Sequence, residues 1–139
     1  MEKPMTGGCL CAAVRYEARP RPGTAYICHC RDCQIGSGSA FHAAVLAEES
    51  SFRLLSGVIT TYSKVADSGN TIVRSFCPKC GTPLYWTGSG FPDQVVLTIS
   101  SLDDAEAIIP SRELWTDSAL SWSRIQEGIE SFPRRPNAR

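Results

Sequence analysis

Three cysteines within six residues constrain this chain more than any other feature of its sequence. Cys28, Cys30 and Cys33 lie in the stretch CHCRDC, and we call them the cysteine trio. A thiolate is a soft ligand for zinc, and ligands two or three residues apart on a turn can converge on one metal ion. Three thiolates leave one position of a tetrahedral site open, as catalytic zinc sites do. The trio therefore predicts a zinc site that accepts a ligand from outside.

The other four cysteines form two pairs that lie far apart in the sequence. Cys9 and Cys11 make a CxC pair, whereas Cys77 and Cys80 lie in FCPKCG, a tight turn whose glycine lets backbone amides point at the sulfurs. Spacing alone allows two groupings, because the CxxC pair inside the trio would also make a zinc ribbon with Cys77 and Cys80. We favour a closed site from the two distant pairs, since it uses all seven cysteines and keeps the trio whole.

Metal binding explains these cysteines better than disulfides or a redox pair. The number of cysteines is odd, and residues 1–11 contain no apolar run of the kind that a secretory signal has. A CxC disulfide would also be strained, because neighbouring side chains of an extended segment point apart. A thioredoxin-like pair at Cys77 and Cys80 would begin a helix, but Pro83 and the Leu-Tyr-Trp run after it indicate a hairpin. We therefore expect reduced thiolates that hold zinc.

Length and charge narrow the class of protein further. The chain has 139 residues, enough for one domain, which we place at residues 1–132 with a frayed tail at 133–139. Its 14 lysines and arginines balance 14 aspartates and glutamates, so no charge excess indicates a nucleic acid or a membrane surface as partner. No stretch approaches the roughly 20 apolar residues of a membrane helix. The expectation is a cytoplasmic protein.

Alternating and β-branched runs predict a mainly antiparallel β fold with little helix. The helical exceptions are one turn at Arg31–Ile35 ended by Gly36, a turn at 101–107 capped by Ser101, and a short helix at Ile125–Ile129. An extended segment is expected at Leu114–Trp115. The predicted strands are Leu10–Ala18, Thr24–Cys28, Phe41–Leu46, Phe52–Leu55, Ile59–Ser63, Ile72–Cys77, Pro83–Thr87 and Gln94–Ser100.

The open site suits thiol chemistry better than hydrolysis. Zinc with three thiolates has a net charge of −1 and activates water less well than a histidine site, but it holds an incoming thiol as its nucleophilic thiolate. The GSGS run at 36–39 offers amides for a carboxylate or peptide-like ligand, with a plain turn as the alternative. For His29 and His42 we favour surface or hydrogen-bonded roles over metal ligation. Asp32 is an outer-shell candidate.

The three cysteine motifs together resemble one known family. GGCLCAAVRYE at 7–17, CHCRDCQIGSGSAF at 28–41 and FCPKCGTPLYW at 76–86, with ELWTDSALSW at 113–122, are similar to the glutathione-dependent formaldehyde-activating enzymes and the related centromere protein V type. The resemblance implies an Mss4-like β-tent of stacked antiparallel sheets around a structural zinc. It departs at Ala12, where the family often has glycine.

The resemblance also implies ligands and a reaction. Two zinc ions would be bound, a structural one by Cys9, Cys11, Cys77 and Cys80, and a catalytic one by Cys28, Cys30 and Cys33. The family's reaction joins glutathione to formaldehyde and gives S-hydroxymethylglutathione, so the expected activity is that of a carbon–sulfur lyase. Two alternatives stay open: a non-catalytic zinc-binding module of the same fold, and a thiol redox sensor that uses Cys30 and Cys33.

Overall fold

The computed structural model of the chain describes residues 3–123 and 128–136. Within these residues the chain forms eleven β-strands, one α-helix and four short 3₁₀ turns. The predicted mainly β fold with little helix is confirmed. None of the described helices is long and apolar enough to cross a bilayer.

The strands form two sheets, and the smaller one has three strands. Its order is β1-β2-β5, with both pairs antiparallel. The larger sheet has eight strands in the order β11-β10-β3-β4-β9-β8-β7-β6, and β10 runs parallel to both of its neighbours. The bounds are β1 Met5–Gly8, β2 Arg15–Ala18, β3 Tyr26–Cys28, α1 Arg31–Ser37, β4 His42–Glu48, β5 Arg53–Ser56, β6 Thr60–Val65, β7 Thr71–Phe76, β8 Pro83–Gly88, β9 Gln94–Thr98, β10 Arg112–Leu114 and β11 Glu130–Ser131.

The main core lies between the two sheets. Tyr16 from β2 is fully buried and stacks on Phe52, whose ring in turn packs against Tyr85 of β8. Leu84 and Leu97 fill the same layer from the larger sheet. Each such side chain contributes roughly 1.5–3 kcal/mol when it leaves water, so this layer holds the small sheet on the large one.

The first predicted strand differs from the structure. Leu10–Ala18 is extended only from Arg15, because residues 9–12 form a turn in which Ala12 takes a positive φ of 67° and donates its amide to the Cys9 carbonyl. The glycine-containing segment Met5–Gly8 forms β1 instead. Gly7 is required there, since a β-carbon would lie 2.5 Å from the Ser101 carbonyl oxygen.

The predicted helical turns need two corrections. Helix α1 continues through Gly36 to Ser37, and the C-cap residue Gly38 follows with a φ of 69°, which suits glycine. The turn expected at 101–107 is two 3₁₀ turns, Ile99–Ser101 and Ala105–Ala107, and the Ser101 hydroxyl caps neither of them. That hydroxyl instead binds the Tyr16 hydroxyl and the Thr98 carbonyl.

Two predictions for the C-terminal end concern residues that the structure describes only in part. The helix expected at Ile125–Ile129 falls largely outside the described residues, as do residues 137–139 of the expected tail. Within the described part of that tail, the carbonyls of Pro133 and Arg134 accept amide hydrogens from Asp117 and Trp115. The domain boundary at residue 132 stays a prediction.

Candidate metal centres

The two distant cysteine pairs meet in one cluster, which we call the closed cluster. The sulfur atoms of Cys9, Cys11, Cys77 and Cys80 all lie within 4.8 Å of one another. The Cys9–Cys11 and Cys11–Cys77 sulfur distances are 3.6 and 3.8 Å. A tetrahedral zinc site with bonds of about 2.3 Å has sulfur–sulfur edges of about 3.8 Å, so the donor set fits zinc.

Backbone amides support the closed cluster from both of its turns. Val14 donates its amide to the Cys9 sulfur at 3.2 Å, and Lys79 donates to the Cys77 sulfur at 3.3 Å. Gly81 follows with a φ of 78° and binds the Cys77 carbonyl. Amide donors favour a thiolate over a thiol, which is the form a metal ligand needs. This is the turn that the CPKCG motif predicts.

The cysteine trio lies at the junction of β3 and α1. Cys28 ends the strand, Cys30 is the N-cap residue of the helix, and Cys33 lies in its first turn. Their sulfur atoms also lie within 4.8 Å of one another, and among the described residues no further cysteine, histidine or carboxylate joins them. Cys28 and Cys33 are buried, whereas Cys30 is partly exposed. The trio thus offers three thiol ligands with one partly open side.

Proton sharing makes one thiol of the trio acidic. Hydrogen bonds from the Cys28 and Cys33 thiols lower the pKa of Cys30 to about 2, and the Cys33 amide, 3.3 Å from the Cys30 sulfur, acts in the same direction. The same sharing with Cys30 raises the pKa of Cys28. A metal that binds all three sulfurs as thiolates must therefore displace the protons held on the others.

Both histidines near the trio are hydrogen-bonded. His29 is fully buried, and its Nε2 lies 3.0 Å from Oε1 of Glu113 on β10. His42, paired with Cys28 across β3 and β4, has its Nε2 3.1 Å from the Thr98 hydroxyl. Burial lowers the pKa of His42 to about 4, so its imidazole is neutral at pH 7. Neither histidine belongs to the cysteine clusters.

The second half of the GSGS run is bonded to the end of α1. The Gly38 amide binds the carbonyls of Gln34 and Ile35, and the Ser39 amide also binds Gln34. The Ser37 hydroxyl binds the Phe41 carbonyl. These groups close the end of α1, which favours the plain turn over a carboxylate-binding loop. Asp32, the outer-shell candidate, instead pairs with Lys64 of β6 at 2.6 Å.

The structure adds residues that the sequence analysis did not select. Strand register places Arg74 of β7 opposite Trp86 of β8, on the sheet beside α1, and Glu113 of β10 opposite Ile27. Alternation along β7 alone cannot show that Arg74 faces the helix, because Arg74 and Cys33 are 41 positions apart and three strands separate β7 from β3 in the sheet. A depression of about 330 Å³ lies elsewhere, lined by residues such as Glu49 and Asp93 and by none of the cysteines.

Comparisons with known proteins agree with this geometry. A family model described as glutathione-dependent formaldehyde-activating enzyme matches residues 4–118. A protein of Schizosaccharomyces pombe named as an uncharacterized lyase is 34% identical over 80 residues, which are 58% of this chain and 55% of that protein. The chain therefore matches only about half the length of that relative.

A solved structure supports the fold. The crystal structure of a Rhodobacter sphaeroides protein is similar with a TM-score of 0.61 and 24% sequence identity, over 72% of this chain and 89% of that one. At this identity the likeness concerns the arrangement of the sheets and carries no statement about activity.

Proposed function

The chain belongs to the glutathione-dependent formaldehyde-activating enzyme family, and we propose that it is a carbon–sulfur lyase that acts on the adduct of a small thiol with formaldehyde or another small aldehyde. Glutathione is the thiol that the family description names. The observation that carries the proposal is the trio of three converging cysteines, which no fourth metal ligand of the described chain completes.

We infer that each cluster binds one zinc ion. The closed cluster offers four sulfurs at tetrahedral spacing, which suits a structural ion that joins β1 and β2 to the β7–β8 turn. The trio offers three sulfurs and suits an ion with one exchangeable position. Bound there, zinc would supply a positive centre that favours the thiolate form of a substrate thiol.

In the synthetic direction a sulfur–carbon bond forms between the thiol and the aldehyde. The thiol loses its proton, the carbonyl π bond breaks, and the former carbonyl oxygen gains a proton to become a hydroxyl. The reverse reaction breaks the same sulfur–carbon bond and restores the thiol and the aldehyde. No oxidant or reductant takes part, so one metal of fixed charge suffices.

The surrounding residues hold the trio in place. The side-chain amide of Gln34 donates to the His29 carbonyl at 2.7 Å and to the Ser118 carbonyl at 2.9 Å, so it ties α1 to the segments on either side. The His29 amide donates to Leu114 of β10. Because α1 has only seven residues, it cannot hold its own geometry in water, and these bonds position Cys30 and Cys33.

The proposal is tested by zinc content and by turnover of the same preparations. We expect about two zinc ions per reduced chain, and glutathione should accelerate exchange of ¹³C-formaldehyde between free and thiol-bound forms. Cys30→Ser should lose about one zinc and slow the exchange by about two orders of magnitude, while Ser39→Ala, an exposed serine just beyond α1, should change neither. Exchange by Cys30→Ser at the wild-type rate would disprove the lyase proposal.

One observation favours a second candidate, a thiol redox function. Cys30 and Cys33 lie at the start of a helix, the position in which CxxC pairs are reactive. Mild peroxide on the zinc-free protein should then join these two thiols, with a mass loss of about 2 Da. If zinc-loaded protein keeps all its thiols under the same treatment, the redox function does not operate in the loaded state. Zinc retention with neither turnover nor oxidation would leave a non-catalytic zinc module.

A further inference from the structure

Arg74 extends from the large sheet towards the helix that carries the trio. Its position on β7 is paired with Trp86 on one side and with Tyr62 of β6 on the other. The guanidinium lies against Gly36 of α1, since Nη1, Cζ and Nε are 3.5–3.6 Å from the place that a β-carbon of Gly36 would occupy. The charged group is therefore held between sheet and helix, one turn beyond Cys33.

The guanidinium of Arg74 has no partner of its own within residues 3–123 and 128–136. It makes neither a side-chain hydrogen bond nor an ion pair there, whereas Arg15, Arg53 and Arg112 each pair with a carboxylate. Arg74 is nevertheless partly buried. A guanidinium has five N–H donors, and a partly buried charge with unused donors carries a desolvation cost that an anionic partner removes.

The positive charge of Arg74 lies close to the helix that carries the trio. Its guanidinium touches α1 at Gly36, three residues beyond Cys33. A unit charge there attracts an anionic group that enters the space between α1 and the sheet.

We propose that Arg74 is a specificity-determining residue that binds the carboxylate of the thiol substrate while the substrate sulfur enters the trio. This inference rests on the proposed function and narrows its substrate to thiols that carry a carboxylate. A guanidinium binds a carboxylate through two parallel N–H···O bonds, and such a contact gives orientation as well as affinity. The Gly38 and Ser39 amides are less suited to this part, because they are engaged in the helix end.

The test compares a charged and an uncharged thiol of similar size on the zinc-loaded protein. Calorimetric titration gives the dissociation constants of 3-mercaptopropionate and 2-mercaptoethanol for wild type, Arg74→Gln, Arg74→Lys and Arg53→Gln. Arg53 is a matched control, because it is an exposed arginine on the small sheet. Arg74→Gln should raise the dissociation constant of 3-mercaptopropionate about 10-fold or more and change that of 2-mercaptoethanol by less than about twofold.

The other variants and one competition experiment complete the test. Arg74→Lys should recover part of the lost affinity, and Arg53→Gln should bind both thiols as the wild type does. Propionate has a carboxylate but no thiol. On the wild type it should compete with 3-mercaptopropionate for the position at Arg74, and it should not displace 2-mercaptoethanol. This competition keeps the proposal testable if Arg74→Gln fails to fold, and the zinc content of each variant is measured beside its melting temperature.

Three results would overturn the inference. Equal weakening of both thiols by Arg74→Gln would mean that Arg74 acts on the trio and not on the carboxylate. Unchanged binding of both would mean that it acts on neither, while the proposed function would stand. If the wild-type protein bound neither thiol, the inference and the proposed function would fail together.

Discussion

The hydrogen bond between His29 and Glu113 allows a sharp test of how the trio is supported. His29 lies between two trio residues and is fully buried, and Nε2 finds its partner in Glu113 at 3.0 Å. Glu113→Ala removes that partner and leaves a buried polar atom unpaired, which costs about 1–3 kcal/mol. Glu113→Gln keeps an acceptor oxygen in place and should cost less. The neighbouring exposed pair of Arg112 and Glu130 provides the control.

The assay is urea unfolding of zinc-loaded protein at fixed free zinc, followed by the rate of zinc release to a chelator. Glu113→Ala should lower the free energy of unfolding by about 1–3 kcal/mol and speed zinc release from the trio. Glu130→Ala should change stability by no more than about 1 kcal/mol, because its partner contact is exposed and 3.5 Å long. If Glu113→Ala matched Glu130→Ala in both measurements, β10 would not support the trio and the reasoning would be wrong.

Three further predictions follow from burial, charge and backbone geometry. The pKa of His42 is about 4 in the folded chain and about 6.5 in the unfolded chain, so the unfolded chain binds more protons between these two pH values. The free energy of unfolding should therefore fall by about 2 kcal/mol between pH 7 and pH 5. His42→Gln should show a smaller decrease in unfolding curves measured over the same pH range. Cys77→Ser should lose the zinc of the closed cluster and unfold, whereas Cys30→Ser should stay folded, as measured by circular dichroism. Gly57→Ala should lower the melting temperature of the protein more than Gly23→Ala does. Both glycines have a positive φ, but only at Gly57 would a β-carbon lie 2.4 Å from a carbonyl oxygen.

The cysteine clusters were the part of the site that the sequence could predict. Ligand spacing within each motif is local, so CHCRDC and CPKCG show their turns without knowledge of the fold. The choice between a ribbon and a closed cluster needed the extra requirement that all seven cysteines have a place, and the structure groups them in that way. The same locality explains why the β-branched run of β9 was predicted close to its observed bounds.

The missed features depend on pairing between distant segments. Strand β1 has the sequence MTGG, which carries no strand signal, and it is extended because it pairs with β2 and passes close to Tyr16. The GSGS run looks like a free loop, yet α1 extends into it once β4 and β3 hold the helix in place. In both cases tertiary contacts override a weak local preference.

The trio and its supporting residues come from three parts of the chain, and this explains why the proposed specificity was harder to predict than the proposed chemistry. The sulfurs come from one turn, but Glu113 reaches His29 only because β10 pairs in parallel with β3, and Arg74 reaches α1 only across several strands. A short helix alone would leave the trio loose. The sheet therefore contributes both the contacts that support the trio and the cation that lies against its helix. The proposed reactivity towards thiols follows from local sequence, whereas the proposed choice among thiols follows from strand register.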